Sequence, residues 1–482
     1  MTRADWIALA AVIAIFLVAC AAVGSFHPDR AFVTYRYAEN VAAGDGFVYN
    51  AGDAPGEGYA STLWLLACAA LAACGGVLPA AAPVLSLLFG VVALVLLWVL
   101  LRARTSFPVA LAGAGFAAAS GPLAVAAMSG EGATLVATLG LVLVALLARP
   151  DSHRVTWGIA GVAGGLLAAC GHALAIVFPV ALAARVLVKR ELRAPARAEW
   201  MTASGAFLAM LLALHAWRAH TFGGVLAASP FASGRVSLPS LWLAQPDDMA
   251  PWGWFYALWF VAGVAARARG DAVCWVALAT AAATGVASLA TADALPALAG
   301  SAALVPLLII PALALRTTSA PAASRVTAAL VAAVLMLSLG GAADAAIFAR
   351  HLRATHDATL KPLGRWLSSW RPDGSLAGVA IGAVAYYSGW RAAPLDRRAG
   401  LTAAPDLVLV TSDGLFAADT DAFQSGVIAA IDGRYRMLAG IRTGWTRDRA
   451  YILYARADIP PLTDAETGSF PNGLGSVTRL LR

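Results

Sequence analysis

A short polar segment near the N-terminus carries an unusual density of ionisable and aromatic side chains. It reads Phe26-His27-Pro28-Asp29-Arg30-Ala31-Phe32-Val33-Thr34-Tyr35-Arg36-Tyr37-Ala38-Glu39-Asn40. Asp29 could take the proton of a substrate hydroxyl, and Arg30 and Arg36 could each present a two-pronged guanidinium to a phosphate. A membrane-surface helix with interfacial tyrosines, and with arginine stems lying along apolar surface, would explain the same residues. The residues alone leave both interpretations open.

Four further ionisable residues fall at the predicted outer ends of apolar segments: Glu131, His172, Arg218 and Asp293. Charged groups are costly inside a membrane and commonly face cavities or substrate paths there. Solvated carboxylates at helix ends would explain Glu131 and Asp293 equally well. A lone histidine is more often a hydrogen-bonded structural residue than a catalyst. These residues are therefore candidates for substrate binding, with a structural role as the alternative.

Several familiar catalytic signatures are missing from the sequence. It contains no Walker loop, no dinucleotide-binding glycine pattern, no Gly-x-Ser-x-Gly motif and no zinc-site spacing. Its five cysteines lie in apolar stretches, where cysteine behaves as a small buried hydrophobic residue. We therefore predict no metal ligands and no chemistry on soluble nucleotide-sugars.

The rest of the chain must hold these residues at a membrane. Its 482 residues are 60% hydrophobic and 13% charged, against about 45–50% and 25% in soluble proteins. The mean hydropathy is +0.75. We predict a mainly α, polytopic protein of the cell (plasma or inner) membrane, with the lipid bilayer as a partner. The net charge of +7 does not indicate nucleic acid, because no basic run interleaves with aromatic residues on a polar face.

Apolar segments predict about eleven membrane-spanning helices, near residues 6–23, 83–101, 108–127, 132–148, 155–172, 174–188, 201–217, 252–266, 272–290, 300–315 and 326–344. With a cytoplasmic N-terminus, fourteen Lys and Arg fall on inner segments and four on outer loops, the bias expected of a correct orientation. The stretch 61–75 is short for a span and is predicted to be re-entrant. Leu17-Val18-Ala19-Cys20 resembles a lipoprotein cleavage box, but an uncleaved first helix is favoured.

Composition changes near residue 345, which divides the chain into a transmembrane domain, 1–345, and a C-terminal domain, 346–482. The transmembrane domain includes a first extracytoplasmic loop over 25–82. Helix-like stretches at 358–371 and 417–430 lie among β-like runs at Gly378–Tyr387, Asp406–Thr411, Tyr435–Ile441 and Tyr451–Tyr454. These patterns predict an α/β domain, which eleven crossings place outside the membrane.

The first polar segment and the residues after it resemble the first extracytoplasmic loop of the GT-C membrane glycosyltransferases that use polyprenyl-phosphate sugars. The similar motifs are Asp29-Arg30-Ala31-Phe32-Val33-Thr34-Tyr35-Arg36-Tyr37, Gly44-Asp45-Gly46-Phe47-Val48-Tyr49-Asn50, Glu57-Gly58-Tyr59 and Leu63-Trp64. The branch resembled is that of the mycobacterial terminal arabinofuranosyltransferases and their relatives. Weaker similarities follow in the family's order at Ser129-Gly130-Glu131, Ala292-Asp293-Ala294-Leu295-Pro296, Leu363-Gly364-Arg365-Trp366-Leu367 and Ile381-Gly382-Ala383-Val384-Ala385-Tyr386-Tyr387-Ser388-Gly389.

The resemblance implies the GT-C fold and transfer of a sugar, in this branch a pentofuranose, from a polyprenyl-phosphate donor to an extracytoplasmic acceptor glycan. It implies that Asp29 is the general base of an inverting attack, and it leaves a divalent cation open. The resemblance and the positions at the outer ends of spans together give eight candidate substrate-binding residues: Arg30, Arg36, Glu57, Tyr59, Glu131, His172, Arg218 and Asp293.

Three departures from the family pattern point to a second class of function. The family's paired acid reads Asp29-Arg30 here, its Thr-Arg-Pro-acid motif becomes Ala169-Cys170-Gly171-His172, and Ala299 stands near the position of a missing arginine. The alternative is therefore a degenerate, non-catalytic relative that acts as a binding or assembly subunit in cell-envelope glycan biogenesis. A transporter is a third interpretation, disfavoured because the predicted span centres carry few charges.

Overall fold

The computed structural model describes residues 1–149, 153–189, 194–224, 272–291, 345–350, 352–378, 381–394, 404–411, 433–442 and 450–463, with single residues and short pieces at 299–300, 302–304, 306–307, 343 and 466. The predicted helix at 417–430 and Asp293 lie outside the described residues. So do all or most of the predicted spans at 252–266, 300–315 and 326–344. Within the described ranges the chain is mainly helical.

The helices of the first part follow one another in chain order: α1 (Arg3–Val23), α2 (Asp29–Ala43), α3 (Thr62–Ala73), α4 (Leu78–Arg102), α5 (Phe107–Ala118), α6 (Gly121–Met128), α7 (Ala133–Leu147), α8 (Arg154–Cys170), α9 (Val177–Lys189, after a 3-10 turn at His172–Ile176), α10 (Ala194–Phe222) and α11 (Ala272–Thr291). Three described helices, α1, α4 and the Arg197–Phe222 part of α10, are long and apolar enough to cross a membrane. The count of about eleven spans stays a prediction.

The predicted span at 108–127 is broken into α5 and α6, which meet at an angle of 50°. Pro122 is placed to cause the break, because it has no N–H to donate to the carbonyl of Ala118, four residues earlier at the end of α5, and its ring would clash with that carbonyl in a continuous helix. If the two helices are taken as one span, the described residues contain four candidate spans. Helix α3 is about 18 Å long at 1.5 Å per residue, shorter than the roughly 30 Å hydrocarbon core of a bilayer.

The long apolar helices leave large hydrophobic side chains on the outside of the bundle. Trp6 and Val18 on α1, Leu88 on α4 and Leu212 on α10 are all exposed. Apolar surface on this scale is unfavourable in water and favourable against lipid chains. The protein is therefore a membrane protein.

Helix α10 lies against α8 because two glycines on α8 let the backbones approach closely. A Cβ atom at Gly161 would overlap the main chain at Ala203, and one at Gly165 would overlap Met210. Small residues four apart are a common means of close helix packing in membranes. This contact fixes the position of α10, whose last turns carry Arg218.

The C-terminal part contains a π-helix (Arg353–Leu360), α12 (Lys361–Trp370), β1 (Ser375–Gly378), α13 (Gly382–Ser388), β2 (Arg391–Pro394), β3 (Leu407–Thr411), β4 (Tyr435–Arg442) and β5 (Ala450–Arg456). The strands form a five-stranded sheet of order β2-β1-β3-β5-β4. β1 is parallel to β2 and β3, whereas β5 is antiparallel to β3 and β4. The predicted α/β architecture is thus present, whereas the domain boundary at 345 stays a prediction.

The predicted strand over Gly378–Tyr387 is wrong. Strand β1 ends at Gly378, and residues 382–388 form α13. Valine and tyrosine favour strands in general, but that preference depends on context. Here the first two N–H groups of α13 are satisfied by the Asp29 side chain rather than by a neighbouring strand.

Candidate active site around the first polar segment

The first polar segment is a helix rather than a loop. Helix α2 follows directly on Pro28, whose fixed φ suits a helix start, and Asp29 occupies its first turn. A carboxylate in the first turn is stabilised by the helix dipole. The face made by Phe32 and Tyr35 is buried, whereas Arg30 and Glu39 remain exposed. The helix expected by the alternative interpretation is therefore present, whereas its place at a membrane surface stays a prediction.

Asp29 connects α2 to the C-terminal part. Its Oδ2 accepts the N–H of Gly382 and its Oδ1 accepts the N–H of Ala383, both at 2.8 Å. The two helices come this close because Gly382 has no side chain. A Cβ there would overlap the main-chain oxygen of Asp29. The carboxylate thus satisfies two N–H groups at the beginning of α13.

Arg30 and Glu131 form a bidentate ion pair. Arg30 donates from Nε to Oε1 and from Nη2 to Oε2, the latter at 3.1 Å. The turn before Glu131 is held by the carbonyl of Gly130, which accepts both the Tyr35 hydroxyl at 3.2 Å and Trp64 Nε1 at 3.0 Å. Contacts between α2, α3 and this turn therefore bring the two charges together.

Arg36 is used to join three segments. Its Nε donates to the carbonyl of Tyr49 at 2.8 Å, and its Nη1 to that of Ala385 at 2.7 Å. Its Nη2 donates to Asn50 Oδ1 at 3.0 Å and to the carbonyl of Trp390 at 2.7 Å. The guanidinium thus connects α2 and the loop after it to α13, through Ala385, and to Trp390, which follows α13. A phosphate contact for Arg36 stays a prediction.

A second group of predicted residues converges on Glu57. Its Oε1 accepts Arg218 Nη2 at 2.8 Å and Thr62 Oγ1 at 3.4 Å, and its Oε2 lies 3.7 Å from His172 Nε2. The side chains of Glu57 and Arg218 are only 6% and 2% exposed, whereas His172 is 39% exposed. Arg218 supplies the positive charge that makes burial of the carboxylate tolerable.

Three buried polar atoms in this second group have no hydrogen-bond partner within the part of the chain that the structure describes. They are Glu57 Oε2, Arg218 Nε and the Tyr59 hydroxyl oxygen. An aromatic wall lies beside them, in which the Tyr59 ring is 5.3 Å from Tyr37 and 6.4 Å from Phe47. One acceptor, one donor and an aromatic surface are the features that a hydroxylated ligand would use.

The structure thus places the predicted site residues in two neighbouring groups. The first, around α2, contains Asp29, Arg30, Arg36 and Glu131; the second contains Glu57, Tyr59, His172 and Arg218. Tyr37, on α2, contacts Tyr59 and links the two groups. In the described ranges, no set of three or more His, Cys, Asp or Glu side chains is placed to hold a metal ion.

Sequence reasoning missed several residues of this region. Thr62 contacts Glu57, and Asn50 exchanges hydrogen bonds with the backbone of Ala392 at 2.9 and 3.1 Å. Asn50 belongs to the glycine-rich motif quoted above, which could have marked it. Residues 381–389 resemble the family, but nothing in the sequence indicates that their backbone groups contact Asp29 and Arg36.

The chain matches solved membrane-protein structures along nearly its whole length. ArnT from Cupriavidus metallidurans bound to undecaprenyl phosphate matches with a TM-score of 0.60 and 13% identity, over 96% of this chain and 100% of that chain. The archaeal oligosaccharyltransferase AglB from Archaeoglobus fulgidus, in complex with an inhibitory peptide and a dolichol-phosphate, matches with a TM-score of 0.54 and 11% identity, over 95% of this chain and 75% of that chain. This chain has the fold of the GT-C superfamily, which confirms the resemblance at that level.

The arabinofuranosyltransferase AftD from Mycobacteria matches less closely, with a TM-score of 0.49 and 15% identity, over 96% of this chain and 40% of that chain. This similarity supports no conclusion about the sugar that the present chain would use. No protein-family profile and no curated protein sequence matches the chain.

Proposed function

We propose that this protein is a membrane glycosyltransferase that moves a sugar from a polyprenyl-phosphate donor to an extracytoplasmic acceptor glycan. The observation that carries the proposal is the match, over 96% of the chain, to a structure bound to undecaprenyl phosphate. Six of the eight predicted substrate-binding residues support it, since they make charged or aromatic contacts in two neighbouring groups; Arg36 makes structural contacts and Asp293 lies outside the described residues. The six are Arg30, Glu57, Tyr59, Glu131, His172 and Arg218.

The group around Glu57 would hold the sugar. A buried polar atom without a hydrogen bond costs about 1–3 kcal/mol, so a ligand that satisfies Glu57 Oε2 and Arg218 Nε is favoured. A sugar hydroxyl can donate to the first atom and accept from the second. The Tyr59 ring offers an apolar face for the ring of the sugar, and the half-exposed His172 marks the open side of the group.

In the reaction that we propose, an acceptor hydroxyl oxygen attacks the anomeric carbon as the bond from that carbon to the phosphate oxygen breaks. The lipid phosphate leaves with the bonding electrons, and the hydroxyl proton passes to Asp29. Attack from the face opposite the leaving group inverts the anomeric centre. The support for Asp29 as base is its place in the first polar segment, where the family resemblance implies that role.

The proposed topology has a cytoplasmic N-terminus, about eleven spans of the cell membrane and an extracytoplasmic C-terminal domain. Its support is the fourteen-to-four distribution of basic residues. A pentofuranose donor is proposed on the similarity of the first polar segment to the arabinofuranosyltransferase branch.

The test is transfer of a labelled sugar from a lipid-linked donor by purified protein. Asp29→Asn removes the base, and loss of general-base catalysis lowers rates by about 10²–10⁴-fold. Gly382→Ala is the matched control, because its Cβ disturbs the same junction and leaves the carboxylate in place. A much larger loss in Asp29→Asn supports the base. An unchanged rate, or equal losses in the two variants, shows that Asp29 is not the base.

One observation favours the second candidate function, a non-catalytic subunit that binds or assembles partners in envelope glycan biogenesis. Asp29 and Arg36 both make hydrogen bonds that hold the C-terminal part in place. A subunit of this kind would bind a polyprenyl phosphate and transfer no sugar. The wild-type protein in the same transfer assay therefore separates the two functions.

A further inference from the structure

Each described cation that the sequence suggested for the lipid phosphate already has a partner. Arg30 forms a bidentate pair with Glu131, and Arg218 pairs with Glu57. Arg36 donates four hydrogen bonds to backbone and amide oxygens. A phosphate ester is bound best by cations that can direct their N–H groups to its oxygens. The phosphate of the donor would therefore need other cations.

Two basic residues on α12 fit this need. Lys361 Nζ lies 5.2 Å and the Arg365 guanidinium carbon 5.3 Å from the centre of the Tyr387 ring. The residues are four apart, so they project from the same face of the helix. Lys361 is half-buried and Arg365 is exposed. Within the described ranges, no carboxylate oxygen lies within 4 Å of a side-chain nitrogen of either residue.

This pair lies next to the first group of site residues. The Tyr387 ring is 5.4 Å from the ring of Phe32, which is one helical turn beyond Asp29 on α2. Tyr387 also belongs to α13, whose first N–H groups bind Asp29. The two cations and the proposed base therefore approach the same junction between α2 and α13.

The height of the pair above the first membrane helix suits a lipid headgroup. Arg353 Nη1 donates to the carbonyl of Val23, the last residue of α1. Lys361 follows eight residues later in continuous helix, which spans at most about 12 Å. The headgroup layer on each side of a bilayer is about 5–8 Å thick, and a lysine stem can extend back toward it.

Two carboxylates also face the Tyr387 ring, and each has a partner of its own. His27 Nδ1 lies 3.5 Å from Asp357, and the Tyr386 hydroxyl donates to Glu39. Although much of the Glu39 side chain remains exposed, partial desolvation raises the pKa of its carboxyl above the ordinary value. These contacts leave Lys361 and Arg365 as the groups available to an anion.

We propose that Lys361 and Arg365 bind the phosphate group of the polyprenyl donor and of the lipid phosphate that leaves. The assignment rests on the proposed function for the identity of the lipid. Its chemistry is that of a phosphate ester presented at the membrane surface, which ordinary anionic phospholipids share. The experiment must therefore separate these two sources of phosphate.

The probe is a polyprenyl monophosphate titrated into full-length protein in phosphatidylcholine nanodiscs. We expect the double variant K361Q/R365Q to bind it at least about tenfold more weakly, because both charge-assisted hydrogen bonds to the phosphate are lost. Arg371→Gln is the matched control, because Arg371 lies 5.4 Å from the Trp370 ring at the other end of the same helix. It should leave binding within about twofold of wild type.

A second arm replaces part of the phosphatidylcholine with phosphatidylglycerol. The proposal holds if the tenfold difference between wild type and double variant persists there. It is overturned if the difference disappears there, or if the double variant binds like wild type in phosphatidylcholine. If the double variant unfolds, the swap K361R/R365K keeps both charges and should bind like wild type, whereas Lys361→Gln alone should weaken binding. A protein that binds in this manner and transfers no sugar would refute the proposed function and leave the phosphate site standing.

Discussion

Arg36 and Arg218 both lie close to the first polar segment, and the protein uses them in opposite ways. Arg36 donates four hydrogen bonds to oxygens of the loop and of the α13 region. Arg218 pairs with the buried Glu57 and keeps a buried Nε without a partner among the described residues. The four hydrogen bonds of Arg36 stabilise the contact between segments of the fold. The unpaired buried Nε of Arg218 could instead donate a hydrogen bond to a polar atom of a ligand.

The largest expected effect is that of Arg218→Leu, which removes the cation from the second group. It leaves the Glu57 carboxylate buried without a counter-charge, and breaking a buried pair in this way costs about 3–5 kcal/mol. Thermal unfolding of the purified protein in nanodiscs measures the loss. The double variant Glu57→Gln/Arg218→Leu is the control and should recover part of it, because no charge remains buried. If Arg218→Leu alone were as stable as wild type, the buried pair of Arg218 and Glu57 would not have the structural importance assigned to it here.

Arg36→Lys should have an intermediate effect. A lysine ammonium cannot reproduce the planar fork that meets Tyr49, Ala385, Asn50 and Trp390, so we expect a loss of about 2 kcal/mol. The loss is measured by thermal unfolding and by the rate of protease cleavage between the two parts of the chain, which should rise when the junction is weakened. Arg391→Lys is the matched control at the same junction. Arg391 is 64% exposed, and its ion pair with Asp53 should contribute less than about 1 kcal/mol. Equal losses in Arg36→Lys and Arg391→Lys would show that Arg36 does not stabilise the junction more than an exposed ion pair does.

The smallest expected effect is a pH dependence from Glu39. Burial raises its pKa in the folded protein, and the hydrogen bond from Tyr386 opposes that rise. The contribution of Glu39 to stability is therefore complete below its ordinary pKa of about 4.3 and is lost as pH rises through the raised value. Unfolding midpoints of wild type and Glu39→Gln between pH 4 and 7 test this, and the variant should lack the decline. Tyr386→Phe should strengthen the decline, and a weaker one would refute the assignment.

The sequence predicted the separate members of the two groups better than their contacts. Glu57 and Arg218 were both candidates on family resemblance, yet nothing in their spacing indicates that residues 161 positions apart form a buried pair. The membrane character and much of the mixed sheet follow from composition and alternation. The partners of Asp29 could not be predicted, because they are backbone N–H groups that any residue type supplies. The hydrogen bonds from Gly382 and Ala383 to Asp29 stabilise the start of the helix Gly382–Ser388, where valine and tyrosine suggested a strand.

Two side chains from different helices, Tyr35 and Trp64, share the single carbonyl of Gly130. The turn that carries Glu131 is thereby held from both sides, by rigid aromatic groups with few rotatable bonds. The charged end of α2 consequently takes its shape when the chain folds, without waiting for a substrate. A ligand that binds beside this turn would therefore spend little of its binding free energy on ordering the protein there.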